Sequence, residues 1–153
     1  MSNSTKGMIA GFVATVVLSG LLMFKSTMDL ASHLNIIRLL TQLGSIGTVA
    51  AWMDHFIVGT FVWGLLFAAL DAVYEKGAYW LKGLIFGVFA WVLMMVLFMP
   101  MAKAGFFGAK IGIEAPLVTL MYHVVYGLVL GVTYGMLATW APVKTPSDSK
   151  QIT

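Results

Sequence analysis

Two histidines, His55 and His123, lie in matching sequence contexts. Residues 53–59 read MDHFIVG and residues 121–127 read MYHVVYG, so a Met-x-His-x-x-x-Gly pattern occurs twice at an offset of 68 residues. Imidazole nitrogens bind transition metals, serve as axial ligands of haem and exchange protons near neutral pH. The repeated pattern predicts that the two histidines occupy equivalent positions and form one polar site.

Asp54 precedes His55 inside residues 47–71, a mostly apolar stretch. It is long enough to cross a bilayer, which takes ~20 residues. Ionisable side chains are costly in lipid, and they mark functional sites or paired charges. Asp54 is therefore expected to be protonated or to pair with Arg38, Lys25 or a histidine. The candidate intramembrane polar site consists of Asp54, His55 and His123.

Several methionines fall toward the same side of the predicted membrane as the two histidines. Thioether and imidazole together suit Cu(I). The candidate metal ligands are His55, His123, Met53, Met99, Met101 and Met121. Haem b held by the two histidines is the other possible cofactor. The alternative is that the histidines form hydrogen bonds between helices and the methionines fill the core.

The composition is that of a membrane protein. The 153 residues are 60% hydrophobic and 10% charged, with a mean hydropathy of +0.94, whereas a soluble domain carries about 25% charged residues. Cysteine is absent, which excludes a disulfide framework, a thiolate metal site and a cysteine-held iron–sulfur cluster. No basic stripe or nucleic-acid motif accompanies the net charge of +3, so no nucleic-acid partner is expected.

The chain also lacks the common catalytic motifs. There is no nucleophile elbow, no HExxH motif, and no phosphate-binding glycine loop before a lysine. A non-enzymatic role is therefore expected.

Four membrane spans are predicted, and they position these residues. They cover about residues 8–24, 47–70, 79–101 and 115–140 of a single domain, 1–153. Residues 25–46 have apolar side chains near helical spacing and predict an interfacial amphipathic helix. Residues 143–153 form a polar tail that is expected to be flexible.

An even number of spans places both termini on one side. That side carries five basic residues against four on the other, so the positive-inside rule favours cytoplasmic termini. The predicted location is a bacterial inner membrane.

The first two spans resemble the last two. Residues 6–14 (KGMIAGFVA) and 82–90 (KGLIFGVFA) share five of nine positions at an offset of 76. Because each unit would hold two spans, both units would insert in the same orientation, related by a pseudo-two-fold axis along the membrane normal. The predicted fold is thus an all-α, four-helix integral membrane bundle made of two tandem transmembrane hairpins.

Small residues recur at intervals of four within the spans, as is usual where membrane helices approach closely. The glycines predicted to form these contacts are Gly11, Gly59, Gly87, Gly127 and Gly131. Each histidine lies on such a row, which places it inside the bundle. These rows also offer a surface for a homodimer or a larger membrane complex.

Four features over residues 47–135 carry a family resemblance: His55 in a span rich in glycine and aromatic residues, residues 82–87 opening the next span, residues 99–101 closing it, and Glu114 ahead of His123. The chain is similar to small uncharacterised bacterial inner-membrane proteins of the YagU type. The resemblance implies a multi-span inner-membrane protein with a stress-related role, and it supplies no mechanism.

Two functions are compatible with this sequence. The first is a transporter-like or accessory membrane component with a polar site around the two histidines. The second is a redox or metal-handling membrane protein that binds haem or copper through His55 and His123.

Overall fold

The computed structural model describes residues 1–27, 41, 47–74 and 76–140, and these form four long helices. The helices are α1 (Asn3–Thr27), α2 (Thr48–Val73), α3 (Tyr79–Met101) and α4 (Glu114–Thr139). The described residues contain no strand. All four helices are long and apolar enough to cross a membrane, which confirms the prediction of an all-helical protein with four such helices.

Two predicted features fall wholly or largely beyond the described residues. The interfacial helix predicted over 25–46 is one, and the polar tail predicted over 143–153 is the other.

The start of α1 lies five residues before the predicted span, because Ser2 caps the helix. The hydroxyl oxygen of Ser2 accepts a hydrogen bond from the backbone N–H of Thr5 at 3.1 Å. A serine in this position satisfies one of the otherwise unpaired N–H groups of the first turn. Residues 3–7, which precede the predicted span, are therefore helical.

An ion pair closes the short turn between α2 and α3. The ammonium group of Lys82 donates to the carboxylate of Asp71 and to the backbone carbonyl of Tyr74. It also stands 5.0 Å from the centre of the Tyr79 ring, a cation–π distance. Gly77, with φ of +107°, supplies the left-handed backbone conformation that the turn requires.

Glycines allow the closest helix contacts in both halves of the chain. α1 packs on α2 where a Cβ at Gly11 would lie 2.7 Å from the carbonyl oxygen of Gly59. α3 packs on α4 where a Cβ at Gly83 or Gly87 would collide with the α4 backbone. Side chains larger than hydrogen would force these helices apart. The five glycines predicted from spacing all lie at such contacts: Gly11, Gly59, Gly87, Gly127 and Gly131.

The four helices enclose a common interior. α1 packs against both α2 and α4, and α3 packs mainly against α4. Between α2 and α3 the contacts are fewer, and they include Trp63 and Phe67 of α2 with Phe86 of α3. An aromatic core with Phe67, Phe86 and Tyr134 fills the half of the bundle that holds the start of α1 and the end of α4.

Two helices contain a π-helical segment, which lies near the middle of α2 and near the end of α3. In α2 it covers Val58–Trp63, and in α3 it covers Met94–Phe98. The segment in α3 ends just before Pro100, which lacks an N–H and whose ring would clash with the preceding turn of a regular α-helix. A widened turn ahead of the proline relieves that clash.

The π segment in α2 has a different cause. Gly59 and Gly64 both contact α1, although residues five apart in an α-helix point about 140° away from one another. The wider turn brings both glycines to the same face. Such single-turn π segments occur frequently at functional sites.

Candidate functional site

A cavity of about 160 Å³ lies among the four helices, in the half of the bundle away from the start of α1 and the end of α4. Both histidines of the repeated pattern, His55 from α2 and His123 from α4, line it. Most of the remaining wall is apolar or aromatic. The sequence pattern and the cavity therefore single out the same two side chains.

His123 has a defined hydrogen bond. Its Nδ1 lies 2.7 Å from the backbone carbonyl oxygen of Thr119, one turn earlier on α4. Because a carbonyl oxygen only accepts, Nδ1 carries the proton of this hydrogen bond. In a neutral ring the other nitrogen, Nε2, is then a hydrogen-bond acceptor.

His55 is held by ring contacts. Its imidazole stands edge-on to Trp52 at 5.7 Å and to Phe56 at 5.8 Å between ring centres. Its Nε2 is buried and has no hydrogen-bond partner within the described part of the chain. A buried polar atom without a partner costs about 1–3 kcal/mol, so this nitrogen is suited to a bound molecule.

The two π segments both contribute to the cavity wall. Val58, Gly59 and Trp63 come from the segment in α2, and Met94 and Phe98 come from the segment in α3. The cavity thus lies where both helices depart from regular geometry.

Tyr126 stabilises the π segment of α2 from across the bundle. Its hydroxyl donates to the backbone carbonyl of Gly59 at 2.6 Å. The carbonyl of Gly59 thus accepts a hydrogen bond from a side chain of another helix, within the π segment. Thr15 of α1 packs directly on Gly59, so α1, α2 and α4 meet at a single point of the cavity wall.

The cavity reaches the outer surface of the bundle between α2 and α3. Val58 and Phe98 line it, and they are 36% and 41% exposed, while few contacts join α2 to α3. The aromatic contacts between α2 and α3 lie further along, toward the turn that joins them. Within the described residues, the opening is therefore a lateral one, and the aromatic core lies beneath the cavity.

The other candidate site residues are distributed differently. Asp54 has an exposed side chain and is not part of the cavity wall. Met53, Met101 and Met121 are each more than half exposed, whereas Met99 is buried and lines the cavity. The structure therefore brings together His55, His123 and Met99, and it leaves the other four outside.

The described residues contain no cluster of three or more His, Cys, Asp or Glu side chains with the spacing of a metal site. Two imidazoles and one thioether near a single cavity do not amount to a complete coordination sphere. The structure gives the metal set no support beyond the histidine pair.

Sequence reasoning missed the aromatic and hydroxyl side chains of the wall, chiefly Tyr122, Tyr126, Trp63 and Thr15. A signal for two of them was present, because both tyrosines lie inside the second copy of the repeated pattern. Tyr126 aligns with Val58 in the first copy, so comparing the copies would have revealed a polar group present in only one of them.

These features define an all-helical protein with four helices able to cross a membrane and a histidine-lined cavity between them. The chain belongs to a family of unknown function, DUF6789, which matches residues 1–144. No curated protein and no solved structure matches it. The expectation of an uncharacterised family is confirmed, while the specific likeness to the YagU type stays a prediction.

Proposed function

We propose that this protein is a multi-pass component of a bacterial inner membrane that binds a small molecule in the cavity lined by His55 and His123. The role is transporter-like or accessory and does not include catalysis. The single observation that carries the proposal is that both histidines of the repeated pattern line one cavity, among four helices whose outer surfaces are apolar.

Lipid accounts for the exposed side chains. Large apolar residues face outward along all four helices, for example Phe12, Phe61, Ile85 and Leu117. Patches of this extent are rare on soluble monomers. A bilayer around the helices removes them from water, and it also places the lateral opening of the cavity at the lipid.

The haem and copper alternative is not favoured by the geometry. An apolar cavity of about 150 Å³ holds a benzene ring, so a cavity of about 160 Å³ would not enclose a porphyrin. For copper, three of the four candidate methionines lie on the outside. Ligand binding at the two imidazoles is the proposal that remains.

The tandem-hairpin arrangement is part of this proposal. It is supported by the shared residues of 6–14 and 82–90 and by glycine contacts in both halves, with Gly11 on α2 and Gly87 on α4. A pseudo-two-fold axis along the membrane normal would then pass between the halves. Cytoplasmic termini and a homodimer stay predictions from charge and glycine spacing.

Cysteine labelling tests the proposed site, because the chain has no cysteine of its own. Ala90 lies in the cavity wall and Val88, on the same helix, faces outward. In native membranes, Ala90→Cys is expected to react with methyl methanethiosulfonate about tenfold faster than Val88→Cys. Only a thiolate reacts, and the imidazoles that line the cavity can take up the proton of the thiol, whereas a thiol in lipid stays protonated. The measurement is the rate of mass increase of the purified protein.

Equal rates for the two cysteines would contradict the proposal, because the cavity would then be no more polar than lipid. A protein that remains in the soluble fraction would contradict it as well.

A further inference from the structure

We infer that the cavity binds a lipid-soluble phenol, a single aromatic ring bearing a hydroxyl group, which enters from the bilayer between α2 and α3. This inference rests on the proposed function and names the class of molecule bound at the same site.

The volume fixes the size of the bound group. A cavity of about 160 Å³ matches the space that holds one benzene ring. The walls provide aromatic surfaces for such a ring, from Trp63, Phe98, Tyr122 and Tyr126. Aromatic rings pack well edge-to-face or offset against one another.

The histidines select the polar group on that ring. His123 donates through Nδ1 to the carbonyl of Thr119, which leaves Nε2 as an acceptor. The unpartnered Nε2 of His55 carries a proton in one of the two neutral tautomers. A phenol hydroxyl both donates and accepts, so it can donate to His123 and accept from His55. An aryl ether can only accept, and a hydrocarbon can do neither.

The path of entry follows from the outer surface. Val58 and Phe98 stand at the lateral opening and are apolar, and the aromatic core of Phe67, Phe86 and Tyr134 lies below the cavity. A molecule dissolved in lipid meets this opening directly. An alkyl chain on the ring can remain among the acyl chains while the ring occupies the cavity.

Three alkylated probes that differ only in the polar group test the inference: 4-octylphenol, 4-octylanisole and octylbenzene. The readout is protection of Ala90→Cys from methyl methanethiosulfonate in purified, detergent-solubilised protein. Octylphenol is expected to protect at about a tenfold lower concentration than octylanisole, because the ether loses one buried hydrogen bond. Octylbenzene is expected to protect least.

The histidines are tested in the same Ala90→Cys background. His55→Ala and His123→Ala are each expected to reduce the preference for octylphenol over octylanisole to less than about threefold. Met121→Ala, an exposed position close to His123, is the matched control and is expected to leave the preference unchanged. The probe series in the Ala90→Cys protein with both histidines intact decides the question, even where a histidine variant fails to fold.

The outcomes separate the two proposals. The inference would be overturned by equal protection from all three probes, by no protection from any of them, or by a preference that survives both histidine substitutions. In each of these cases, rapid labelling of Ala90→Cys would still support a polar cavity. Slow labelling without any probe would overturn the proposed function, and the phenol inference with it.

Discussion

At the scale of single residues, the hydroxyl of Tyr126 is the contact on which the cavity wall most depends. It reaches from α4 to the carbonyl of Gly59, inside the π segment of α2. Thr15 covers the same glycine from α1. One hydrogen bond and one packing contact thus connect three helices beside the two histidines.

Tyr126→Phe is expected to lower the free energy of unfolding by about 1–3 kcal/mol, because the carbonyl of Gly59 loses its donor in a buried place. Thermal unfolding of the purified protein in detergent, followed by circular dichroism, measures the change.

Tyr122→Phe is the matched control for this substitution. Tyr122 is also buried and lies one turn earlier on α4, and it has no hydrogen bond to another described residue. Its loss of stability is expected to stay below about 0.5 kcal/mol. Similar losses in both variants would show that the contact with Gly59 contributes nothing specific.

The sequence revealed the histidines but not this tyrosine. His55 and His123 stood out because ionisable side chains are rare in apolar segments. The hydroxyl of Tyr126 gave no such signal, since tyrosine is common in membrane proteins near the interface. Its partner is a backbone carbonyl inside the widened turn, which no residue type in the sequence marks.

At the scale of elements, glycine spacing predicted the helix contacts well. The rows at intervals of four identified Gly11, Gly87 and Gly127, which all lie at close approaches. The contact of Gly64 with α1 was not predictable from those rows, because it lies five residues after Gly59. No single residue type in the sequence of α2 indicates that the helix contains a π segment.

Gly11→Ala and Gly87→Ala are each expected to lower the free energy of unfolding by about 1–3 kcal/mol, because the added methyl group would lie against the backbone of the neighbouring helix. The two positions correspond in the proposed repeat, so their losses are expected to be similar. Thermal unfolding in detergent provides the comparison.

Gly20→Ala is the control, since nothing lies within 4 Å of a Cβ at Gly20. It is expected to raise the free energy of unfolding by about 0.5–1 kcal/mol, because alanine favours the helix over glycine. A loss at Gly20 equal to the losses at Gly11 and Gly87 would show that close packing does not account for the losses at those two positions. Strongly unequal losses at Gly11 and Gly87 would argue against the repeat.

At the scale of the whole molecule, composition and hydrophobic run length were sufficient to predict four helices. The run from Tyr79 to Met101 was predicted with the ends that the structure shows. The lengths of the hydrophobic runs do not predict how the helices pack against one another. Periodicity identifies a face of a helix, but it does not say that α1 packs between α2 and α4 or that α2 and α3 part beside the cavity.

In the proposed topology, the start of α1 and the end of α4 both lie on the cytoplasmic side. A reporter that fluoresces only in the cytoplasm, fused before α1 or after α4, is therefore expected to be bright in both fusions, because four crossings return the chain to its starting side. A fusion within residues 102–113, between α3 and α4, is expected to be dark. A bright loop fusion with dark terminal fusions would reverse the orientation, and one bright and one dark terminus would exclude four crossings.

The widened turn in α2 constrains the number of residues in this stretch more than it constrains their chemical types. Removing one residue between His55 and Gly64 would rotate the first part of the helix by about 100° against the second, so the imidazole and the glycine could no longer both point inward. Members of the family are therefore expected to vary in amino-acid identity at Val58, Thr60 and Phe61, while gaps and insertions are excluded from this stretch. The number of residues that separates the histidine from the glycine is then the feature that family members are expected to share.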